Sequence, residues 1–408
     1  MARILFTLHP GLGHLNPLVP LAATLQSAGH DVRIGTSRKF GRQVEAAGLQ
    51  AVPLGLDWLE SRAEQTFPGF LRLGGVEQLQ ILAGVPAPAL AADVVALARV
   101  WHPDLLVRDC SEFGGWVAAE EIGIPSVAYG VLAWMPPARL KVVIGAQLAE
   151  LRTLRLLSAD PELSRLQGGL FLDTTPPSLD FVPRAPDEAA VARVRPVFGD
   201  DRGGEALPAW FTRSADRKVL ATLGSVNNRH PVLLKKIIDA VAGEEYEVLL
   251  ALGDAPAPPG SLPSNVHLEG YVPVSAALPG CATVLSHGGR GTVLTALAQG
   301  VPVCSIPISA DQPITAMLVE RAGAGVSCAT GEVQVGPFAC PSADPEQLDP
   351  LVIRHQIRRV LDEPAFAVRA AAVQAEIASL PGPDRVVQLL EGVLAAPDGG
   401  STVAGLTS

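Results

Sequence analysis

Short apolar runs alternate with stretches whose apolar residues recur every three to four positions, and the alternation repeats along most of the chain. The first run, ARILFTL (Ala2–Leu8), is short and continuous, as expected of a strand buried on both faces. Pro17–Ala28 then carries Leu18, Leu21, Ala22 and Leu25 at helical spacing. HDVRIGT, a helix over Arg38–Ala47 and LQAVPL continue the series; PDLLVRD, SEFGGWVAAEEIG and IPSVAYG read as strand, helix and strand. Strands separated by helices need crossover connections, so the pattern predicts a parallel sheet covered on both faces.

The rhythm restarts at KVLATLGS. It runs through a helix at Pro231–Ala242, then YEVLLALG, VHLEGYV, ATVLSHGG, a helix at Thr292–Gln299 and VPVCSIP. Between the two series lies Pro196–Ala209, with Gly199, Gly203, Gly204 and two aspartates. The expected organisation is α/β: two doubly wound, Rossmann-like domains at 1–198 and 213–380, a linker at 199–212, a C-terminal helix in 381–395 and a frayed tail at 396–408. Such sheets bind ligands beyond the carboxyl ends of their strands, at the switch point. Two of them can open onto one interdomain cleft, which makes the strand-end loops the places to look for chemistry.

Composition narrows the class. At roughly 150 residues per domain, 408 residues suit two or three domains. With 48% hydrophobic and 18% charged residues the chain can fill large cores, which argues against disorder. The net charge of −10 and the lack of any basic cluster argue against a nucleic-acid partner. Cys110, Cys281, Cys304, Cys328 and Cys340 are odd in number and lack CxxC spacing, which suits reduced core residues of a cytoplasmic protein better than a disulfide or zinc framework. Pro10, Gly11, Pro17 and Pro20 break the apolar N-terminus, which reads as strand and turn rather than signal peptide. No uninterrupted apolar stretch reaches the roughly 20 residues a membrane span needs.

The opening loop, HPGLGHLNP, begins like a dinucleotide turn with Gly11 and Gly13. Asn16 and Pro17 then stand where the third glycine and helix interior belong, and no acidic residue closes HDVRIGT. The loop instead offers His14, either as a structural residue or as a base: imidazole, with a reference pKa near 6.5, can take a proton from an attacking hydroxyl at neutral pH. Asp109 ends PDLLVRD on the same sheet edge, where it either fixes the tautomer of His14 or only caps a helix. Glu112 starts the following helix and is expected to complement its dipole.

In the second series, Gly288, Gly289 and Gly291 lie between a strand and a helix, where backbone N–H groups can cradle a phosphate and His287 can add a donor. Thr222–Ser225 offers a further hydroxyl and N–H, while Asp311 and Gln312 suit sugar hydroxyls. No GKS, GKT or DxD occurs, so neither a Walker loop nor a metal site for a diphosphate is expected.

GLGHLNP, TLGS, GYVPVSAALP, SHGGRGT, GVP and ADQ occur in this order across nearly the whole chain. Together they resemble a family 1 glycosyltransferase of the GT-B fold, most closely the actinomycete enzymes that glycosylate antibiotics such as macrolides and enediynes. The resemblance implies that His14 is the catalytic base and Asp109 its assistant. It implies donor contacts at Ser225, Tyr271, Val272, His287, Gly288, Gly289, Arg290, Gly291, Thr292, Thr295, Asp311 and Gln312. Among these, Tyr271 would stack on the base, His287 would bind the diphosphate, and Asp311 with Gln312 would hold the sugar.

Two positions depart from the family pattern: Val274 replaces a common glutamine, and Arg290 replaces a small residue, either to add a cation or to point to solvent. Family members using UDP-sugars usually carry a glutamate at the position of Thr295, so a TDP-sugar is the expected donor, with a UDP-sugar the alternative. Leu56–Val100 and Val131–Pro177 are expected to line the pocket of a small hydrophobic aglycone, with Trp58, Phe67, Phe70, Trp134 and Met135 as apolar candidates. The implied reaction is inverting and needs no cofactor or metal. The rivals are a GT-B nucleotide-sugar epimerase and a non-catalytic partner of the same fold, and a homodimer is left open.

Overall fold

The computed structural model describes residues 1–132, 135–166, 169–181, 191–198, 207–213, 217–224, 230–253, 255–336 and 338–395. Ser225, Trp134, most of the expected linker and the expected tail lie outside them.

Seven strands form the first sheet: β1 (Arg3–Thr7), β2 (Asp31–Thr36), β3 (Gln50–Pro53), β4 (Leu105–Asp109), β5 (Ser126–Tyr129), β6 (Leu170–Asp173) and β7 (Val191–Arg193). Their order is β3-β2-β1-β4-β5-β6-β7 and every pairing is parallel. The continuous apolar runs have a simple cause. Ile4 and Phe6 of β1, with Leu105 and Val107 of β4, enter one core. Leu5 and Leu106, alternating with them, enter the core on the opposite face. Helices cover both faces, so neither side of a central strand can be polar.

The second sheet holds β8 (Lys218–Thr222), β9 (Glu247–Ala251), β10 (Val266–Glu269), β11 (Thr283–Ser286), β12 (Val303–Ser305) and β13 (Gly325–Ser327). Its order, β10-β9-β8-β11-β12-β13, repeats the plan of the first sheet, again all parallel. A hairpin of β14 (Gly331–Val335) and β15 (Phe338–Ser342) follows. The expected α/β class with two Rossmann-like sheets is therefore the observed one.

Within the described residues, one compact unit draws on Met1–Thr175, Asp180–Gly199 and Leu380–Ser408, the other on Pro176–Leu179 and Asp200–Ser379. The C-terminal helix Pro383–Ala395 thus belongs to the first unit. Val386, Leu389, Leu390 and Val393 line one face of it and pack into the core that holds Leu18, Leu21, Ala22 and Leu25. Burying four such side chains, at about 1.5–3 kcal/mol each, accounts for the helix returning to this unit.

By length and composition alone, Gly75–Trp101 could cross a membrane. It is in fact two helices, Gly75–Gly84 and Pro86–Trp101, broken at Val85. Ala87, Leu90, Ala91, Val94, Val95 and Trp101 pack into the core around Leu5 and Leu106, as a core helix does.

Candidate active site

In each sheet the strand order reverses beside the first strand, between β1 and β4 and between β8 and β11. Chains leaving such neighbours diverge and open a crevice at the carboxyl ends. The sequence candidates cluster at these two places.

In the first unit the chain leaves β1 through His9 and Pro10. Gly11, extended, caps the short helix Leu12–Leu15 that carries His14. Since Thr7 pairs with Arg108, the last residue of β4, Asp109, arrives beside that helix. His14 Nδ1 hydrogen-bonds Asp109 Oδ2. The other oxygen, Oδ1, accepts from the N–H and the hydroxyl of Ser111, both at 2.8 Å, so the fully buried carboxylate is fixed in place. Asp109 is therefore bonded both to the histidine and to the turn that follows β4.

A second carboxylate, which sequence reasoning missed, faces the other nitrogen: Glu60 Oε1 lies 3.4 Å from His14 Nε2. Burial by itself would lower the pKa of His14, but the charges of Asp109 and Glu60 outweigh it and hold the imidazole well above its usual value. Burial would conversely raise both carboxyls, and the facing imidazolium holds each below the usual carboxylate range. With Asp109 accepting a hydrogen bond from Nδ1–H, a neutral His14 keeps its lone pair on Nε2.

His9 packs edge-on against His14 at 5.3 Å between ring centres and donates from Nε2 to Ser111 O at 3.0 Å. Burial pushes its pKa down, which keeps a second cation away from His14. Glu112 accepts from Thr7 Oγ1 (2.7 Å) and from the N–H groups of Gly114 and Gly115, so it serves the N-terminus of helix Gly114–Ile122 as expected.

The expected acceptor-lining aromatics form a chain. Trp58 stands edge-on to His9 at 6.0 Å and to Phe67 at 5.1 Å, and Phe67 contacts Phe70 at 5.8 Å. Trp58, Phe67 and Phe70 are only 3%, 7% and 6% exposed and pack as a small core with Ala63. Met135 is half-buried.

In the second unit, β11 runs into Gly288, which has φ +81°, and Gly289, which caps the helix Arg290–Ala298. The His287 ring lies between the Gly224 and Gly289 backbones, and a side chain on either glycine would collide with it. Among the described residues, nothing lies within 4 Å of where a side chain at Gly291, in the first turn of this helix, would go. Gln312 packs on Gly288 and spends its amide oxygen on the N–H groups of Ile308 (2.9 Å) and Ser309 (3.0 Å). Its NH2 is the group left to donate. Asp311 caps the helix Gln312–Ala322 through its backbone, without a side-chain cap bond.

Arg290 is 5% exposed, which removes the alternative that it points to solvent. Tyr271 is 36% exposed after β10, with Val272 buried behind it. Thr292 is half-buried at the start of the helix. Thr295 is buried and its hydroxyl donates to Gly291 O at 2.7 Å, so to a ligand it offers only lone pairs. Among the described residues, no group of three or more His, Cys, Asp or Glu is placed to hold a metal.

A histidine–carboxylate pair at one switch point and a glycine-rich helix N-terminus at the other, on two Rossmann-like sheets, fit the plan of a glycosyltransferase of the GT-B kind. The comparisons agree. The glycosyltransferase family 28 N-terminal domain matches residues 11–138, and the C-terminal domain of the erythromycin biosynthesis protein CIII-like family matches 235–393. The 4'-demethylrebeccamycin synthase of Lentzea aerocolonigenes is 30% identical over 96% of this chain and 100% of its own. The aclacinomycin-T 2-deoxy-L-fucose transferase of Streptomyces galilaeus is 30% identical over 95% of each. Spinosyn rhamnosyltransferase SpnG, solved with thymidine diphosphate, superimposes with a TM-score of 0.75 at 26% identity, over 95% of this chain and 100% of that one. The chain belongs to the GT-B glycosyltransferases of actinomycete antibiotic biosynthesis.

Proposed function

We propose that this protein moves a deoxysugar from a TDP-sugar to a hydroxyl of a hydrophobic natural-product aglycone, with inversion and without a metal. The observation that carries the reading is the His14–Asp109 pair, a base whose tautomer is fixed at the switch point of the first sheet. The acceptor hydroxyl gives its proton to His14 Nε2 while its oxygen attacks the anomeric carbon. The carbon–oxygen bond to the diphosphate breaks, and that electron pair leaves with the diphosphate. The N–H groups of the glycine loop and His287 stabilise the departing charge, at about 3 kcal/mol per well-placed donor.

Thymidine is favoured by Thr295. A deoxyribose lacks the 2'-hydroxyl, so a buried carboxylate at this position would lose a partner and incur a desolvation cost. The thymidine diphosphate bound to SpnG supports the same choice. The five free cysteines suit a reducing, cytoplasmic setting.

The test is incubation with a labelled TDP-deoxysugar, with and without apolar aglycones. Acceptor-dependent TDP release, with a product of inverted anomeric configuration by NMR, is expected. Sugar epimerisation without acceptor, retention, or no turnover with any acceptor would overturn the proposal.

A further inference from the structure

The mechanism above leaves one carboxylate beside the base unused. Glu60 opens the single turn Glu60–Arg62, and its N–H donates to Pro10 O at 3.0 Å. Two residues earlier, Trp58 is tied down by Ser37 Oγ, which donates to its carbonyl at 2.6 Å, and by its ring contact with His9. These anchors hold the Glu60 carboxylate over the loop that leaves β1. The carboxylate lies directly against Gly11, where a Cβ would meet it unless it shifted. Glu60 Oε1 then sits 3.4 Å from His14 Nε2, so carboxylates face both imidazole nitrogens.

An acceptor oxygen must come within about 2.6–3.2 Å of Nε2 to lose its proton. It therefore needs the position that Glu60 holds. The Glu60 side chain is 25% exposed, which gives it somewhere to go, whereas Asp109 is fully buried and fixed by Ser111.

We infer that Glu60 is a positioning residue of the base: it holds Nε2 while no acceptor is bound and yields that nitrogen to the acceptor hydroxyl. The inference rests on His14 being the base. Until Glu60 is displaced, both nitrogens of His14 carry protons and the enzyme cannot start the reaction. The titratable groups facing the imidazole are Asp109 from β4, His9 from the exit of β1, and Glu60 itself. Asp109 also perturbs Arg108 and Glu112, and neither of these is perturbed by Glu60 or His14.

Neutral His14 is the active form, so kcat/KM rises with pH through the pKa of His14, and removing the Glu60 charge lowers that pKa. In Glu60→Gln the acid limb of kcat/KM should move down by about one pH unit or more. At pH values below both limbs the variant should then outpace the wild type, by about tenfold for each pH unit the limb moves. Nitrogen-15 NMR of the acceptor-free enzyme should show the His14 midpoint falling in step.

Acid limb and NMR midpoint both unchanged in Glu60→Gln would overturn the inference. A midpoint that falls while the rate profile stays put would leave the Glu60 contact standing and reject His14 as the base. The unaltered enzyme gives a check free of folding effects: saturating acceptor should lower the His14 midpoint, and an unmoved midpoint would also overturn the inference.

Discussion

Replacing Asp109 by asparagine tests the base assembly with a change of one atom type and almost no change in volume. In the wild type, Oδ1 accepts two hydrogen bonds from Ser111 and Oδ2 meets His14 Nδ1. An asparagine keeps the Ser111 bonds only by turning its oxygen toward them, which aims its NH2 at Nδ1. A neutral His14 must then accept at Nδ1 and carry its proton on Nε2, the wrong tautomer for a base. The lost charge also lowers the pKa of the imidazole, because burial is no longer opposed by Asp109. General-base catalysis is worth about 10²–10⁴ in rate, and a forced wrong tautomer cost about 10⁴ in a serine protease. The expected loss in kcat is therefore about 10²–10⁴, or roughly 2.7–5.5 kcal/mol. The assay is acceptor-dependent TDP release, with calorimetry of TDP binding as control, since the glycine cradle belongs to the other unit. Turnover within threefold of the wild type in a folded variant would refute the reasoning.

Three further outcomes test the donor half. Gly289→Ala puts a methyl group against the His287 ring; overpacking costs about 1–3 kcal/mol, so calorimetry should find TDP bound about tenfold more weakly or worse, and unchanged affinity would show that His287 is free to move. Free TDP should bind more tightly than UDP, and Thr295→Glu should move the preference toward UDP; equal or tighter UDP binding by the wild type would defeat the thymidine assignment. Turnover should survive excess EDTA, and a loss restored by magnesium or manganese would reveal a metal site.

How much was legible depended on the physical signal each feature carried. β1, β4, β8 and β11 were readable because strands covered on both faces must be continuously apolar, and they locate both switch points. β6, β7 and β13, three or four residues each, were not picked out as strands. His14, Asp109 and the glycine loop stood out because their residue types fall at strand ends.

Glu60 did not. Its place beside His14 depends on how the segment after β3 folds back onto Pro10, and neither spacing nor composition records that contact. The aromatics show another limit. Trp58, Phe67 and Phe70 were read as acceptor-lining, yet the same apolar character serves the edge-to-face cluster in which they are buried. Arg290 was open in the sequence, and only its burial beside the glycine cradle excludes the solvent-facing choice.

The most direct test of the central claim is His14→Ala, measured for TDP affinity and for acceptor-dependent TDP release in the same preparation. Loss of the base should cut turnover by at least about a hundredfold while TDP binds nearly as in the wild type. Near-wild-type turnover with a hydroxyl acceptor would contradict the account.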